Sequence, residues 1–177
     1  LTTSTGGWYA STYGSPHNIK ANIYTTNQFF WLVTPSINLG AGSSSNKLEF
    51  DVFYTDYANA DPIESGYSNA DKKLVVLIST DDGLTWSASK TMKKWDNAGS
   101  VDTLSKLSNL PTHIIIPIAD TANIPYSGVV KFAFYAESTV SGDGDNDIHI
   151  DNFQVTGFVC TSPTALTTTG ITQTTAT

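Results

Sequence analysis

Short segments in which apolar and polar residues alternate recur along the chain, and this pattern limits the fold more than any other feature. In residues 47–55 every second residue from Leu48 to Tyr54 is apolar, as in a strand with one buried face. Residues 129–136 repeat the pattern, and the continuous apolar run 74–78 is typical of a central strand buried on both faces. Stretches rich in Gly, Ser and Asn separate these segments. The sequence therefore predicts an all-β fold.

Size and charge narrow the possible functions. The length of 177 residues suits one domain with a short attached segment. We expect residues 1–159 to form this domain, because residues 160–177 are threonine-rich and have no core pattern. A net charge of −7, with nine lysines and no arginine, argues against nucleic-acid binding and against attraction to anionic membranes. The single cysteine, Cys160, excludes an internal disulfide, and no apolar stretch is long enough to span a membrane.

An acidic segment, residues 141–155 (SGDGDNDIHIDNFQV), leads into the last predicted strand. Its two apolar pairs, Ile148 with Ile150 and Phe153 with Val155, have opposite parity, which predicts a β-bulge near Asp151 and Asn152. Asp151 would then lie among residues directed into the core, where a carboxylate needs a neutralising partner. A calcium ion held by aspartate oxygens would serve, and the acidic residues available are Asp143, Asp145, Asp147 and Asp151.

Two observations limit the calcium prediction. The segment is not an EF-hand, because the sixth position counted from Asp143 is Ile148 where glycine is required, and the twelfth is Gln154 rather than glutamate. Its aspartates could instead bond their own backbone in a solvated turn. Both alternatives stay open at the level of sequence.

Residues 79–86 (STDDGLTW) resemble the Asp-box motif. We expect a local hairpin in which Asp81 binds backbone amides, Gly83 supplies a positive φ and Trp86 packs on the returning strand. The motif occurs in unrelated folds, so it predicts local structure and no activity.

Aromatic residues outside the strand patterns have two interpretations. Core packing is the usual role of a large ring, but Trp8, Tyr13, Tyr57 and Tyr67 could also be exposed for ligand contact. An exposed ring beside amide or carboxylate groups would suit a sugar. These four are our candidate ligand-binding residues.

Motifs for catalysis are missing from the sequence. It contains neither a GxSxG nor an HExxH pattern, and Cys160 lies in the threonine-rich segment. His149 falls within a strand pattern and is expected to be a packed or surface histidine. No two of the 16 acidic residues have a spacing that indicates a glycosidase pair. We therefore expect a protein that is not an enzyme.

The order of five segments resembles a known family. They read FFWLVTPSINL, LEFDVFYTDY, LVVLISTDDGLTW, VKFAFYAEST and DNDIHIDNFQV. Residues 8–159 resemble the cleaved-adhesin or choice-of-anchor J modules of secreted Bacteroidetes proteins, which are related in fold to MAM domains. Residues 162–177 resemble the start of a fibronectin type III domain, so that residues 160–177 would be a linker and a truncated stub, and the chain resembles a piece of a longer, exported protein.

The resemblance implies a jelly-roll β-sandwich of two antiparallel sheets that binds calcium. Carried onto this chain, the metal ligands are Asp145, Asp147 and Asp151, together with Asp56, which follows the second segment. The acidic N-terminal strand of the relatives has no counterpart ahead of Trp8.

Two hypotheses for the function follow. The first is a non-catalytic adhesion or accessory module of a secreted or cell-surface multidomain protein, stabilised by calcium, whose partners are cell-surface proteins or glycans and the neighbouring modules. The alternative is a carbohydrate-binding module attached to a secreted hydrolase. Neither involves nucleic acid or insertion into a membrane.

Overall fold

A computed structural model describes residues 2–3, 7–13, 15–57, 60–63, 72–97, 102–139 and 144–157. These residues form antiparallel strands, with a single 3₁₀ turn at Ala88–Lys90 and no α-helix in the described ranges. No helix there is long and apolar enough to cross a membrane. The strands are β1 (Thr2–Thr3), β2 (Trp8–Ser11), β3 (Asn18–Ile23), β4 (Gln28–Val33), β5 (Ile37–Asn38), β6 (Lys47–Asp56), β7 (Lys72–Ser79), β8 (Thr91–Asp96), β9 (Thr112–Pro117), β10 (Val129–Ser138) and β11 (Asn146–Thr156).

The strands form two sheets that pack face to face as a jelly-roll β-sandwich, which confirms the predicted fold class. The six-stranded sheet has the order β1-β4-β10-β7-β8, with β5 beside β10. The five-stranded sheet has the order β2-β3-β11-β6-β9. Because β3, β11 and β6 are neighbours, residues from distant parts of the sequence meet on the five-stranded sheet.

The core lies between the sheets and matches the alternation predicted from the sequence. The apolar residues of β6 from Leu48 to Tyr54 are buried, and Phe50 packs edge-to-face on Phe134 and Trp95 from the other sheet. All five residues from Leu74 to Ile78 of β7 are buried, as expected for a central strand.

The predicted bulge is present, but its consequence differs from our expectation. The register between β11 and β6 shifts between Asp151 and Gln154, and Asn152 has φ 50°. Ile148 and Ile150 before the bulge and Phe153 after it all pack on the core. Asp151 has the opposite parity from Ile150, so its side chain points outwards and is partly exposed. The expectation that Asp151 lies among core-directed residues is therefore wrong.

Residues 158–177 lie outside the described part of the chain, and the predicted linker and fibronectin-like stub fall within them. The boundary between residues 159 and 160 stays a prediction.

Candidate functional site

A cleft of about 730 Å³ lies on the outer face of the five-stranded sheet. Three tyrosines line it: Tyr9 on β2, Tyr13 after β2 and Tyr57 after β6. These residues are 45%, 43% and 50% exposed, respectively. We call this region the tyrosine cleft. Aromatic rings exposed in a concave site with a few polar groups are typical of small-ligand sites.

Strand pairing explains why Lys20 lies at the bottom of this cleft. Tyr9 is opposite Lys20, Lys20 is opposite His149, and His149 is opposite Phe53. Residues opposite each other in antiparallel strands share a face, so the four form one row across the outer face. Lys20 Nζ lies 4.8 Å from the ring centroid of Tyr13, 5.3 Å from that of Tyr9 and 5.6 Å from that of Tyr57. The ammonium is thus surrounded by cation–π contacts.

Lys20 and Asp147 form a buried ion pair beneath the tyrosines. Lys20 Nζ lies 2.5 Å from Asp147 Oδ2, and both side chains are almost completely buried. Burial disfavours the ammonium, but the hydrogen bond and the charge of Asp147 outweigh it and raise the pKa of Lys20. Burial raises the pKa of Asp147, against the hydrogen bonds that it accepts from Lys20 and Asn22. The pair gives the cleft a polar floor without net charge.

A second buried polar group, His149, lies beside the ion pair. Its ring stacks on Phe53, with centroids 4.2 Å apart and 7° between the planes. Nδ1 lies 2.9 Å from Asn18 Oδ1, and Nε2 lies 3.0 Å from Thr55 Oγ1. Burial lowers the pKa of His149 to about 3, and the charge of Lys20 lowers it in the same direction. The imidazole is therefore neutral at physiological pH, and His149 is packed, which is one of the two environments that the sequence predicted for it.

The four candidate ligand-binding aromatics occupy different environments in the structure. Tyr13 and Tyr57 are in the cleft. Trp8 is 4% exposed and packs in the core, because strand alternation turns it inwards and Tyr9 outwards. Of the two interpretations of Trp8, core packing is confirmed and exposure for a ligand is wrong. Tyr67 lies outside the described residues. Sequence reasoning missed Tyr9 and Lys20, and alternation would have indicated both had residues 8–11 and 18–23 been recognised as strands.

The candidate calcium ligands are only partly brought together. Asn22 Nδ2 lies 2.6 Å from Asp145 Oδ1 and 3.0 Å from Asp147 Oδ1. Asp56 pairs with Asn146 in the sheet, which places its backbone close to Asp145.

Asp151 stands apart from these three. It accepts a hydrogen bond from Ser15 Oγ and another from its neighbour's backbone N–H. It is four residues from Asp147 along the strand, a separation of about 13 Å.

The charge on Asp147 is already compensated by Lys20, a partner that the sequence did not reveal. No cluster of three or more His, Cys, Asp or Glu side chains able to hold a metal occurs among the described residues. Taken alone, these residues do not form a calcium shell. Asp143, the remaining acidic residue of the segment, is not among them, and calcium binding stays a prediction.

The middle of the outer face of the six-stranded sheet is apolar, beside an ion pair between Lys73 and Glu137. Val75, Leu77 and Ala133 are buried beneath Trp31, Trp86 and Tyr135, and Trp31 lies 4.6 Å from Tyr135 and 5.8 Å from Trp86 between ring centroids. We call these residues the tryptophan patch.

The turn that carries Trp86 has the polar contacts expected of the Asp-box-like sequence. Thr85 N donates to Asp81 Oδ1 at 3.1 Å, and Gly83 has φ 85°. Trp86 packs on Trp31 of β4 and on the apolar cluster beneath it.

Comparison with known proteins supports the fold. The sequence matches no protein-family model and no curated protein. A carbohydrate-binding module specific for non-crystalline cellulose is 13% identical with a TM-score of 0.50, covering 85% of this chain and 81% of that one. At this identity the likeness shows the sandwich fold alone.

Two further structures are similar at lower TM-scores. The K2 cleaved adhesin domain of Lys-gingipain is 15% identical with a TM-score of 0.48, and the match covers 88% of this chain and 89% of that one. A glycoside hydrolase family 43 arabinoxylan arabinofuranohydrolase from Bacillus subtilis is 15% identical with a TM-score of 0.44. The match covers 84% of this chain, which spans only 24% of that enzyme.

Proposed function

We propose that this chain is a non-catalytic glycan-binding module and that the tyrosine cleft holds the sugar. The observation that carries the proposal is the arrangement of three half-exposed tyrosine rings around one polar floor. Ring faces suit the C–H faces of a pyranose, and hydroxyl and amide groups suit its hydroxyls. The described lining offers the hydroxyls of Ser11 and Thr12 and the imidazole of His17 for such bonds.

The charged groups of the cleft favour binding over catalysis. Glycoside hydrolysis normally requires two carboxyl groups at a defined separation. The described residues that line the cleft include no Asp or Glu, and the Asp147 carboxylate beneath them is held by Lys20. The arrangement therefore supports a role in which a glycan is held and not cleaved.

We place the module in a secreted or cell-surface protein, where it would attach neighbouring domains to a glycan. The resemblance to exported adhesin-type modules supports this location. Adhesion to a protein partner is the second candidate. The tryptophan patch is the observation that favours it, because an apolar aromatic cluster on a sheet face is the kind of surface used in protein contacts.

A glycan array followed by calorimetry tests the proposal. We expect at least one plant, algal or host polysaccharide to bind, and Tyr13→Ala or Tyr57→Ala to weaken it tenfold or more, about 1.4 kcal/mol. Trp86→Ala, on the opposite face, is the matched control and should leave the affinity unchanged. Absence of binding across the array would overturn the glycan proposal and favour the protein partner. Equal losses in the Trp86 and Tyr13 variants would show that the cleft is not the site.

A further inference from the structure

We infer that Asn18 and His149 are positioning residues, which hold Tyr13 in the tyrosine cleft through a relay of hydrogen bonds. Neither residue stacks on the ligand itself. The inference rests on the proposed function only where glycan binding is used to test it. Its structural readout stands independently of what the cleft binds.

The first step of the relay is the bond between Asn18 and the segment that carries Tyr13. Asn18 Nδ2 donates to the backbone oxygen of Tyr13 at 2.8 Å and to that of Ser15 at 3.1 Å. Asn18 is buried at the start of β3, so its amide is a fixed point below a more exposed segment. Both of its N–H groups are used on backbone that no sheet ladder pairs.

The second step fixes the orientation of that amide. Because Nδ2 faces two carbonyl oxygens, Oδ1 of Asn18 must face His149 Nδ1, which therefore carries the proton and donates. The unprotonated Nε2 lies 3.0 Å from Thr55 Oγ1, whose one hydroxyl hydrogen is shared between this nitrogen and the Asp56 backbone oxygen, also 3.0 Å away. Stacking on Phe53 holds the ring plane. β11 and β6 thus determine the direction in which Asn18 can donate.

The charged groups around His149 match the neutral tautomer. Lys20, on β3, lies opposite His149 in the sheet, while Asp147 and Asp151 flank it along β11. Asp147 is paired with Lys20, and Asp151 accepts a hydrogen bond from Ser15. The neutral His149 ring can therefore donate to Asn18 Oδ1 at this site. The hydrogen bonds continue from Asn18 Nδ2 to the backbone oxygen of Tyr13.

Amide hydrogen exchange and a double-mutant cycle test the relay. The Tyr13 amide donates to Ser11 Oγ at 3.2 Å. In Asn18→Ala we expect it to exchange at least tenfold faster, because the backbone that Asn18 holds is released, while the amides of the core strands stay protected. Asn22→Ala is the control, because its amide lies on the same strand but bonds Asp145 and Asp147; it should leave Tyr13 exchange unchanged. If Asn18→Ala does not fold, Asn18→Asp still accepts from His149 but cannot donate to the two carbonyls, and the same faster exchange is expected.

The binding readout separates positioning from general stability. Asn18→Ala should weaken glycan binding about as much as Tyr13→Ala, and the double variant should lose no more than Tyr13→Ala alone, because both changes remove the same contact. Unchanged exchange at Tyr13 in the Asn18 variants, or additive losses in the double variant, would overturn the inference. If the wild-type protein binds no glycan, the proposed function fails, and the exchange measurement alone decides whether the relay positions Tyr13.

Discussion

The two outer faces of the sandwich are built from the same strand geometry, but the centres of the two faces are stabilised differently. On the six-stranded sheet, the tryptophan patch covers Val75, Leu77 and Ala133 with aromatic rings, and apolar burial stabilises it. On the five-stranded sheet, the residues beneath the tyrosine cleft include the Lys20–Asp147 ion pair and the neutral His149. An apolar face of similar area would be at least as stable, because desolvation offsets most of the gain from a buried ion pair.

This difference indicates which face has a role beyond stability. Buried polar groups must all be bonded, and a satisfied network fixes one arrangement of its side chains. Beneath the cleft, Lys20 contacts all three tyrosine rings and Asn18 bonds the backbone that carries Tyr13. The polar network therefore determines the shape of the cleft. Changes to it should alter pH dependence and glycan binding, whereas changes to the tryptophan patch should alter stability and leave glycan binding unchanged.

Removing the buried ammonium is expected to have the largest effect. Lys20→Met leaves Asp147 buried without its charge partner, which should lower the free energy of unfolding by about 3–5 kcal/mol. The matched control on the opposite face is Lys131→Met, whose ammonium lies 3.5 Å from the exposed Asp82 and should cost at most about 1 kcal/mol. Urea unfolding measures both. Equal losses would show that the two faces do not differ in the way described.

Repairing the ion pair sharpens the same comparison. Asp147→Asn combined with Lys20→Met removes both charges, and we expect it to recover much of the lost stability, because no unpaired charge stays buried. A double variant that is as unstable as Lys20→Met would contradict this explanation.

The sequence predicted some parts of the molecule and missed others. The alternation in residues 47–55, the apolar run of β7 and the parity change around Asp151 predicted β6, β7 and the bulge, because these signals are local. β3 was missed because its buried residues include Asn18 and Lys20, which read as polar.

Their burial depends on partners far away in the sequence. Lys20 meets Asp147, 127 positions later, and Asn18 meets His149, 131 positions later. The pattern of residues within 18–23 cannot indicate contacts with residues so far away in the sequence. For the same reason Asp147 was predicted as a calcium ligand with no sign that a lysine lies beside its carboxylate.

The buried His149 should make the stability of the five-stranded face depend on pH. The pKa of His149 is lowered to about 3, chiefly by burial, so below its ordinary value of about 6.5 the unfolded chain binds a proton that the folded chain does not. Stability is thus complete above that value and falls as the pH drops. The share of His149 is about 2 kcal/mol between pH 7 and pH 5.

His113 provides the control for this prediction. Hydrogen bonding to Asp51, and more weakly to Glu49, raises the pKa of His113, so its contribution has the opposite sign and grows as the pH falls. Unfolding of His149→Gln and His113→Gln at pH 7 and pH 5 separates the two. The acid-induced loss should shrink in the His149 variant and persist in the His113 variant. An unchanged loss in His149→Gln would assign the pH dependence to other groups.

Calcium should have the smallest effect, because Lys20 already compensates Asp147. The backbones of the remaining candidates, Asp56 and Asp145, come close where β6 and β11 pair, and we propose that calcium binds weakly at this acidic end of the five-stranded sheet. For a dissociation constant of about 1 mM, 10 mM calcium would add about 1.4 kcal/mol to the free energy of unfolding. Thermal unfolding in calcium and in a chelator measures this shift, which Asp145→Asn should abolish and Asp151→Asn, on the far side of His149, should leave in place. Identical melting temperatures with and without calcium would contradict the calcium proposal. Lys20 would then be the cation that compensates the acidic segment, and the contrast between the two faces would depend on the protein's own charges alone.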